Sequence, residues 1–356
     1  ASRERVLGRI RAGVLESGTV MMLEEAGVAD RLHREGHAHA GCWFTDDDLM
    51  VRINFEELTG KPVMVYGQTE VTKDLYAAQD RQGTPILHGV SDVAIHDADG
   101  TAPAITFHRD GRAQRLACDF VVGCDGFHGV SRRTIPADLR QEFERVYPFG
   151  WLGILSRTRP AHEELIYANS SSGFALASMR NETLSRYYVQ VPLSDKVEDW
   201  SDAAFWQKLS ACLPRDIVDG LETGPSIEKS IAPLRSFVCE PMRWGRLFLV
   251  GDAAHIVPPT GAKGLNLAVS DVFYLHQALI DAVKKADHGG IDAYPDRALA
   301  RVWKAMRFSW QLTTMLHQFE GEDRFAAQMR KATLAHLSKS EAARQDLAEN
   351  YVGLPF

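Results

Sequence analysis

Two short runs of apolar residues form the most distinctive pattern along the chain. Residues 119–125 read Asp-Phe-Val-Val-Gly-Cys-Asp, and residues 246–252 read Arg-Leu-Phe-Leu-Val-Gly-Asp. Runs of this kind are typical of strands that are buried on both faces of a parallel sheet. Because ligands of open α/β sheets bind at the carboxyl ends of such strands, Asp125 and Asp252 are predicted to lie at a ligand site.

Helical spacing of apolar positions is found on either side of these runs. The first forty residues, Val14 among them, predict helix, and residues 68–81 do the same. From residue 273 to the end the pattern is again mostly helical. Trp303 and Trp310 in this last part have an i, i+7 spacing, which indicates core or interface residues.

Strand-like patterns fill most of the remaining sequence. Residues 42–55 predict a hairpin, and residues 93–119 predict a hairpin or meander that is interrupted by Asp-Gly turns. Residues 148–192 and 228–239 are rich in Tyr, Phe, Val and Ile and predict a separate antiparallel sheet. The predicted fold class is therefore α/β, with a Rossmann-like parallel sheet, an interleaved antiparallel-sheet domain and a helical C-terminal region.

Composition narrows the possible partners. The chain has 356 residues, with 40 Lys and Arg against 47 Asp and Glu, and a net charge of -7. This balance argues against nucleic acid or an anionic membrane as the main partner. No apolar run approaches the roughly 20 residues that a membrane span needs, so a cytoplasmic protein is expected. Five scattered cysteines without C-x-x-C spacing predict reduced thiols and no metal site.

Residues 251–266 join the second apolar run to a Gly-rich turn and then to a helix. Asp252 can accept hydrogen bonds from sugar-type hydroxyls, and the Pro-Pro pair stiffens the turn. Gly261 and Gly264 allow the backbone to approach a ligand closely. The positive N-terminal end of the helix favours an electron-rich group. An ordinary strand-to-helix connection is the alternative, but the order and length of these features favour a cofactor site.

Three blocks together resemble the flavoprotein aromatic hydroxylases: residues 251–266, residues 118–132 with their Asp-Gly pair, and residues 9–16 with two arginines. The resemblance implies that the parallel sheet binds FAD and that the backbone of residues 264–266 faces the flavin edge that becomes negative on reduction. It implies FAD contacts at Arg11, Gln68, Asp125, Arg186, Asp252, Gly264, Leu265 and Asn266, and nicotinamide contacts at Arg9, His128, Arg132 and Arg235.

The substrate candidates lie in the antiparallel part. A period of two puts Ser178 and Arg180 on one face of a predicted strand. One guanidinium and two hydroxyls suit a planar carboxylate, because the guanidinium fork can bind both of its oxygens. The resemblance implies that Ser178, Arg180 and Tyr188 bind a benzoate carboxylate. It further implies substrate or catalytic roles for Tyr167 at the phenol oxygen, Tyr351 linked to it, His39 at the outer end of a proton path, Pro259 and Thr260.

The resemblance implies hydroxylation of 4-hydroxybenzoate to 3,4-dihydroxybenzoate with NADPH or NADH and O2, through a flavin C4a-hydroperoxide. Arg3 and Arg5 favour NADPH. The alternatives are hydroxylation of another aromatic acid, such as 3-hydroxybenzoate or salicylate, and a non-catalytic fragment without firm FAD binding. A serine hydrolase is disfavoured, because the sequence contains no G-x-S-x-G. The resemblance also suggests a homodimer.

The two predicted ligand-binding domains are each interrupted in sequence, whereas the helical region is continuous. The FAD-binding domain is expected at residues 1–36, 66–140 and 240–272, the substrate domain at residues 37–65 and 141–239, and the helical region at residues 273–356. The family opens with a strand, a G-x-G-x-x-G turn and a helix, and the sequence contains no G-x-G-x-x-G. We therefore expect the chain to begin after that unit and the polypeptide alone to retain little FAD.

Overall fold

A computed structural model describes residues 2–7, 13–47 and 49–356 of the chain. Arg9 and Arg11 lie outside the described residues. The strands are β1 (Val14–Leu15), β2 (His37–His39), β3 (Gly41–Asp46), β4 (Leu49–Asn54), β5 (Val63–Val65), β6 (Ser91–His96), β7 (Ala104–Arg109), β8 (Arg112–Ala117), β9 (Val121–Gly123), β10 (Gln141–Ser156), β11 (Leu165–Ser170), β12 (Gly173–Asn181), β13 (Leu184–Pro192), β14 (Ser226–Glu240), β15 (Arg243–Trp244), β16 (Leu247–Leu249) and β17 (His255–Ile256).

The helices occupy mainly the N-terminal third and the C-terminal quarter of the chain, with one between β9 and β10 and two between β13 and β14. They are α1 (Arg3–Leu7), α2 (Ser17–Glu25), α3 (Asp30–Glu35), α4 (Phe55–Thr59), α5 (Gln68–Gln82), α6 (Ser131–Thr134), α7 (Asp202–Cys212), α8 (Arg215–Val218), α9 (Gly264–Lys285), α10 (Gly289–Leu316), α11 (Arg324–Lys339) and α12 (Glu341–Val352). Among the described helices, none combines the length and the apolar character that crossing a bilayer requires.

An eight-stranded sheet in the order β17-β14-β10-β13-β12-β11-β3-β4 dominates the fold. Its pairs are antiparallel except for β11 with β3, which run parallel in a register that opposes Leu165 to Cys42. Side chains alternate between the two faces. One face buries Phe44, Trp151 and Tyr167 under α10 and α12, and the other buries a second apolar cluster under α7. The predicted antiparallel sheet is thereby confirmed.

The two apolar runs of the sequence form adjacent parallel strands, as expected for the α/β part of the fold. In β9 and β16, Val121 is opposite Leu247 and Gly123 is opposite Leu249. Both faces of β16 are buried, whereas Val122 of β9 is 38% exposed. The expectation of burial on both faces is therefore correct for β16 and wrong for β9, which leaves one face open to solvent.

The N-terminal forty residues differ from the prediction of continuous helix. Val14 and Leu15 are buried and pair with β5 as strand β1, and residues 37–39 pair with the same strand. The helical spacing of this part is shared among three short helices, α1 to α3. Hydrogen bonding to a distant strand overrides a weak local preference for helix here, as is common for short segments. The predicted helix at residues 68–81 is confirmed as α5.

A buried histidine, His317, closes the aromatic core at the end of α10. Its Nε2 accepts a hydrogen bond from Trp151 Nε1 at 2.7 Å, and its Nδ1 lies 2.9 Å from the Thr313 carbonyl oxygen. Phe149 and Phe174 pack against the imidazole at centroid distances of 4.7 and 4.2 Å. This geometry requires the neutral tautomer with the proton on Nδ1. Burial lowers the pKa of His317 to about 3.

The His317 environment predicts an acid-sensitive stability. An unfolded histidine has a pKa of about 6.5, so between about pH 6.5 and 3 unfolding takes up a proton that the folded protein excludes. The free energy of unfolding should therefore fall as the pH drops, by about 1.4 kcal/mol per pH unit for this group. Urea unfolding across this range should show a shallower pH dependence for His317→Gln. The exposed control His288→Gln should keep the original slope, and an unchanged slope in His317→Gln would contradict the prediction.

Candidate active site

The register of the large sheet gathers the predicted substrate residues on one face. Tyr167 of β11 and Tyr188 of β13 are both opposite Leu176 of β12, and Ser178 is opposite Arg186. Directly paired residues point to the same side of a sheet. The tyrosines, Ser178 and Arg186 therefore share the face that α10 and α12 cover. Arg180 follows Ser178 on β12, next to an irregularity in the strand pairing.

Two guanidinium groups lie near the side chain of Tyr188. Arg186 Nε donates to its hydroxyl at 3.1 Å, and Arg180 is close enough for Tyr188 to act on its pKa. Arg186 Nη1 forms an ion pair with Glu228 Oε1 at 3.1 Å but, like Arg180 Nε, is buried without a hydrogen-bond partner among the described residues. Burial lowers the pKa of Arg180, and the neighbouring Arg186 lowers it further. Among the described residues, Glu228 is the one carboxylate paired with these two guanidinium groups. The site can therefore accept a second anion.

A pair of buried tyrosine hydroxyls lies on the same sheet face. Tyr167 Oη and Tyr351 Oη are 2.7 Å apart, and both side chains are at most 1% exposed. Phe44 stacks on Tyr167 at 5.2 Å, and Phe55 stacks on Tyr351 at 4.7 Å. Burial raises the pKa of both tyrosines, so their hydroxyls stay protonated at neutral pH. They can pass on a proton without holding a charge.

His39, the predicted outer end of a proton path, is itself buried. It ends β2, is 4% exposed, and neither ring nitrogen has a partner among the described residues. Burial lowers its pKa to about 4, and Glu164 opposes that effect. A buried polar group without a partner is costly and is normally satisfied by water.

The turn after β17 is pinned against α10. Thr260 Oγ1 lies 3.0 Å from Thr313 Oγ1, and a Cβ at Gly261 would approach Phe308 to 3.1 Å. Thr260 is fully buried, whereas the adjoining Pro259 is exposed. The Pro259 ring can therefore meet a ligand, while Thr260 holds the backbone still.

The N-terminus of α9 is open. A Cβ at Gly264 would meet nothing within 4 Å, and within the described part of the chain no side chain caps this helix. The backbone N–H groups of residues 264–266 precede the first intrahelical hydrogen bond, which runs from Leu267 to Lys263. They form an electropositive edge that can face an electron-rich group, and the cofactor contacts at Gly264 and Leu265 stay predictions.

The side chain of Asn266 is fully used inside the protein. Its Oδ1 accepts from Glu16 N at 2.9 Å and Thr19 Oγ1 at 2.7 Å, and its Nδ2 donates to the carbonyl oxygens of Val14 and Ala262. The predicted contact of Asn266 with the flavin can therefore involve its backbone, and the side chain fixes where that backbone lies.

A buried cluster of charged side chains lies next to this turn, and it was not predicted from the sequence. Lys263 Nζ donates to Glu16 Oε1 at 2.6 Å and to the Tyr351 carbonyl oxygen at 2.9 Å. Arg301 Nη2 lies 3.2 Å from the other oxygen of Glu16. Lys263 is separated from Glu16 by 247 positions, so local sequence patterns carry no signal for the contact.

Several predicted cofactor residues have structural partners. Asp125 Oδ2 accepts from both the backbone and the hydroxyl of Ser131 at 2.9 Å. The Arg132 guanidinium is buried and donates to Glu142 and to the carbonyl oxygens of Phe127 and Ala253. Arg132 thus braces the fold in this conformation, and its role towards the nicotinamide stays a prediction.

The remaining predicted contacts are more accessible. Asp252 follows β16 and is exposed, Gln68 begins α5, and His128 is exposed with its ring edge-on to Phe127. Arg235 forms an ion pair with Glu144 at 3.1 Å and keeps about a third of its side-chain surface exposed. These positions leave Asp252, His128 and Arg235 free to meet a ligand.

Comparison with known proteins identifies the family to which the chain belongs. The model of the family described as FAD binding domain matches residues 2–309. The crystal structure of p-nitrophenol 4-monooxygenase PnpA from Pseudomonas putida DLL-E4 superposes with a TM-score of 0.79 at 15% identity, covering 97% of this chain and 89% of that one. The chain belongs to this FAD-binding family and is an FAD-dependent aromatic hydroxylase.

Closer relatives narrow the family. The p-hydroxybenzoate hydroxylase of Acinetobacter baylyi is 53% identical over all 356 residues, and the match covers 88% of that protein. A rifampicin monooxygenase of Streptomyces venezuelae is 30% identical over 299 residues, which cover 80% of this chain and 59% of the relative. The first match places the chain in the 4-hydroxybenzoate hydroxylase family.

The packing of Tyr188 predicts that Gly153 cannot be enlarged. A Cβ at this β10 position would lie 2.6 Å from Tyr188 Cε1 and 3.5 Å from Arg186 Nη2. Overpacking of this kind typically costs 1–3 kcal/mol. We expect Gly153→Ala to lower the free energy of unfolding by about that amount in urea titrations, and Gly220→Ala, where the nearest atom is 4.0 Å away, to have little effect. Equal midpoints for the two variants would show that Tyr188 moves aside without cost.

Proposed function

We propose that this FAD-dependent aromatic hydroxylase converts 4-hydroxybenzoate to 3,4-dihydroxybenzoate with NAD(P)H and O2. The observation that carries the proposal is the pairing, on one buried sheet face, of a cation-rich pocket at Arg180 and Arg186 with the hydroxyl pair of Tyr167 and Tyr351. A para-hydroxylated benzoate has a carboxylate at one end and a phenol at the other. The two halves of the face match these two ends.

The residues present suit FAD. The open space above Gly264 and the uncapped N–H groups that follow it form a cradle for the electron-rich edge of an isoalloxazine, and the exposed Asp252 can accept from ribityl hydroxyls. Bound FAD supplies the transfer of electrons from the nicotinamide and the activation of O2. The protein's own contribution is to bind and orient the ring, to move its proton and to exclude water.

Recognition of the carboxylate is assigned to Arg180, Tyr188 and Ser178. Arg180 brings a guanidinium with a buried, unpartnered Nε among the described residues, and an ionised carboxylate would neutralise it with charge-assisted hydrogen bonds. Ser178 Oγ has only a weak contact, 3.3 Å from the Met179 carbonyl oxygen, and can turn to the ligand. Arg186 is already paired with Glu228 and Tyr188, which suits a role in positioning the flavin rather than in binding substrate.

Activation of the ring is assigned to the tyrosine pair. Tyr167 accepts the phenol proton as its own hydroxyl proton passes to Tyr351, 2.7 Å away, and Tyr351 releases its hydroxyl proton in the same relay, so that both tyrosines stay neutral. His39 then takes part in delivering the proton to solvent. Removal of this proton makes the ring more electron-rich at the position ortho to the oxygen, which is where the new hydroxyl is added.

NADPH is the preferred reductant in this proposal, with NADH as the alternative, and the chain acts as a homodimer. Exposed aromatic residues on the C-terminal side support self-association: Trp303 is 39% and Trp310 47% exposed, and Phe143 packs edge-on against Trp303. Light scattering of the purified protein measures the assembly, and a monomer at micromolar concentration would contradict that part. Rates measured with each nicotinamide decide the reductant.

Arg180→Lys tests the carboxylate pocket and the substrate assignment together. Lysine keeps the charge but loses the fork, so we expect the KM for 4-hydroxybenzoate to rise by on the order of tenfold to a hundredfold. The measurement is formation of 3,4-dihydroxybenzoate by the FAD-loaded enzyme, with 3-hydroxybenzoate and salicylate assayed beside it. Arg145→Lys, at an exposed site on β10, serves as the matched control. If one of the other acids is hydroxylated in preference, the specific assignment is wrong.

Tyr167→Phe and Tyr351→Phe test the proton path. Each removes one hydroxyl while leaving the stacked ring, so binding of 4-hydroxybenzoate should persist while product formation falls on the order of 10²-fold or more. The pH dependence of phenolate formation, followed by absorbance of the bound substrate, should be lost in both variants. Retention of full kcat by Tyr351→Phe would remove it from the path.

A further inference from the structure

His39 lies in a corner of the sheet where three other charged or titratable side chains act on it. The parallel register of β3 and β11 opposes Cys42 to Leu165, which puts Glu164 beside Gly41 and close to the end of β2. Glu164 and His162 act on His39 from the segment that leads into β11, and His37 acts on it from β2 itself. Of these three side chains, Glu164 is the one that favours a charged imidazole at His39.

Glu164 is held by a bidentate ion pair. Arg52 of β4 donates from Nε to Glu164 Oε2 at 2.8 Å and from Nη2 to Oε1 at 2.7 Å. The Glu164 side chain is 13% exposed and that of Arg52 34%, so the pair is only partly screened by water. His162 Nδ1 accepts from the Glu164 backbone N–H at 2.9 Å, and its ring meets Trp43 edge-on. The carboxylate therefore has one fixed position.

The same corner is continuous with the tyrosine pair. Leu165 is opposite Cys42 and Tyr167 is opposite Phe44, so Tyr167 lies two residues along β11 from the end that Glu164 precedes. His39 lies at this end of β3, and within the described residues neither of its buried ring nitrogens has a hydrogen-bond partner. A proton that leaves the tyrosines towards His39 thus enters the field of the Arg52–Glu164 pair.

We propose that Arg52 and Glu164 are positioning residues for proton release: their ion pair sets the charge that His39 meets, and so the rate and the pH range in which His39 passes the ring-hydroxyl proton to solvent. This inference rests on the proposed function. A neutral, desolvated imidazole is a poor proton acceptor, and the carboxylate of Glu164 makes acceptance easier. Arg52 limits that help by neutralising the same carboxylate.

The two partners should have opposite effects, which separates this role from simple structural support. In Arg52→Gln the carboxylate loses its counter-charge, so the pKa of His39 should rise above about 4; in Glu164→Gln it should fall below about 4. The measurement is a histidine NMR titration of the full chain, with His39 assigned from the spectrum of His39→Gln. Glu163→Gln, an exposed neighbour, is the matched control and should leave the titration unchanged.

The functional readout is the rate of phenolate formation. FAD-loaded enzyme with bound 4-hydroxybenzoate is subjected to a pH jump without nicotinamide, and the absorbance of the phenolate is followed. We expect Arg52→Gln to be faster and Glu164→Gln slower than the unaltered enzyme, each by on the order of threefold to tenfold at neutral pH. Circular dichroism of each variant identifies any that fails to fold, and the other partner's variant then carries the test.

The outcomes are distinguishable. If the unaltered enzyme binds no 4-hydroxybenzoate or forms no phenolate, the proposed function fails, while the NMR titrations still report on the ion pair. If phenolate forms but both variants keep the original rate, or both shift the His39 titration in the same direction, the inference about Arg52 and Glu164 is overturned and the proposed function stands.

Discussion

Four hydrogen bonds to the side chain of Asn266 fix the relation between the two halves of the candidate site. They tie the turn before α9 to β1 and to the start of α2. Glu16, whose backbone is one of the donors, also binds Lys263 and Arg301 through its carboxylate. Lys263 in turn bonds the carbonyl oxygen of Tyr351. The uncapped N–H edge at α9 and the tyrosine pair are thereby held in one frame, so that a shift of the turn would move both.

The electrostatics of this frame follow from burial. Lys263, Arg180 and Arg186 place three cations in surroundings of low dielectric, and Glu16 and Glu228 supply the described carboxylates that face them. Desolvation makes an unpaired cation costly, which favours binding of an anionic group at Arg180, the one of the three without a described carboxylate partner. The tyrosines respond to the same burial in the opposite sense and remain neutral. The cations Arg180 and Arg186 and the neutral Tyr167 thus lie on neighbouring strands of the same sheet.

Local sequence patterns predicted the elements of this fold better than its contacts. The strands β9 and β16, the turn at residues 251–266 and the antiparallel sheet all follow from runs, turns and alternation within one segment. The prediction of helix at Val14 was wrong, because this residue lies in β1 and the partner strand β5 lies about 50 residues further on. The clusters at Lys263 and Glu164 join residues more than 100 positions apart, and no local periodicity encodes such pairs.

The distances in sequence also determine when the site can exist. Tyr167 meets the hydroxyl of Tyr351 across 184 positions, and Asn266 meets Glu16 across 250. During synthesis the large sheet emerges long before α12 does, so its apolar face at Phe44, Trp151 and Tyr167 waits uncovered. A chain released before the last helices are made would contain the large sheet, but these helices would not cover its apolar face. Such a chain presents the apolar surface that chaperones bind, and the helix that carries Tyr351 is also the one that covers this part of the core.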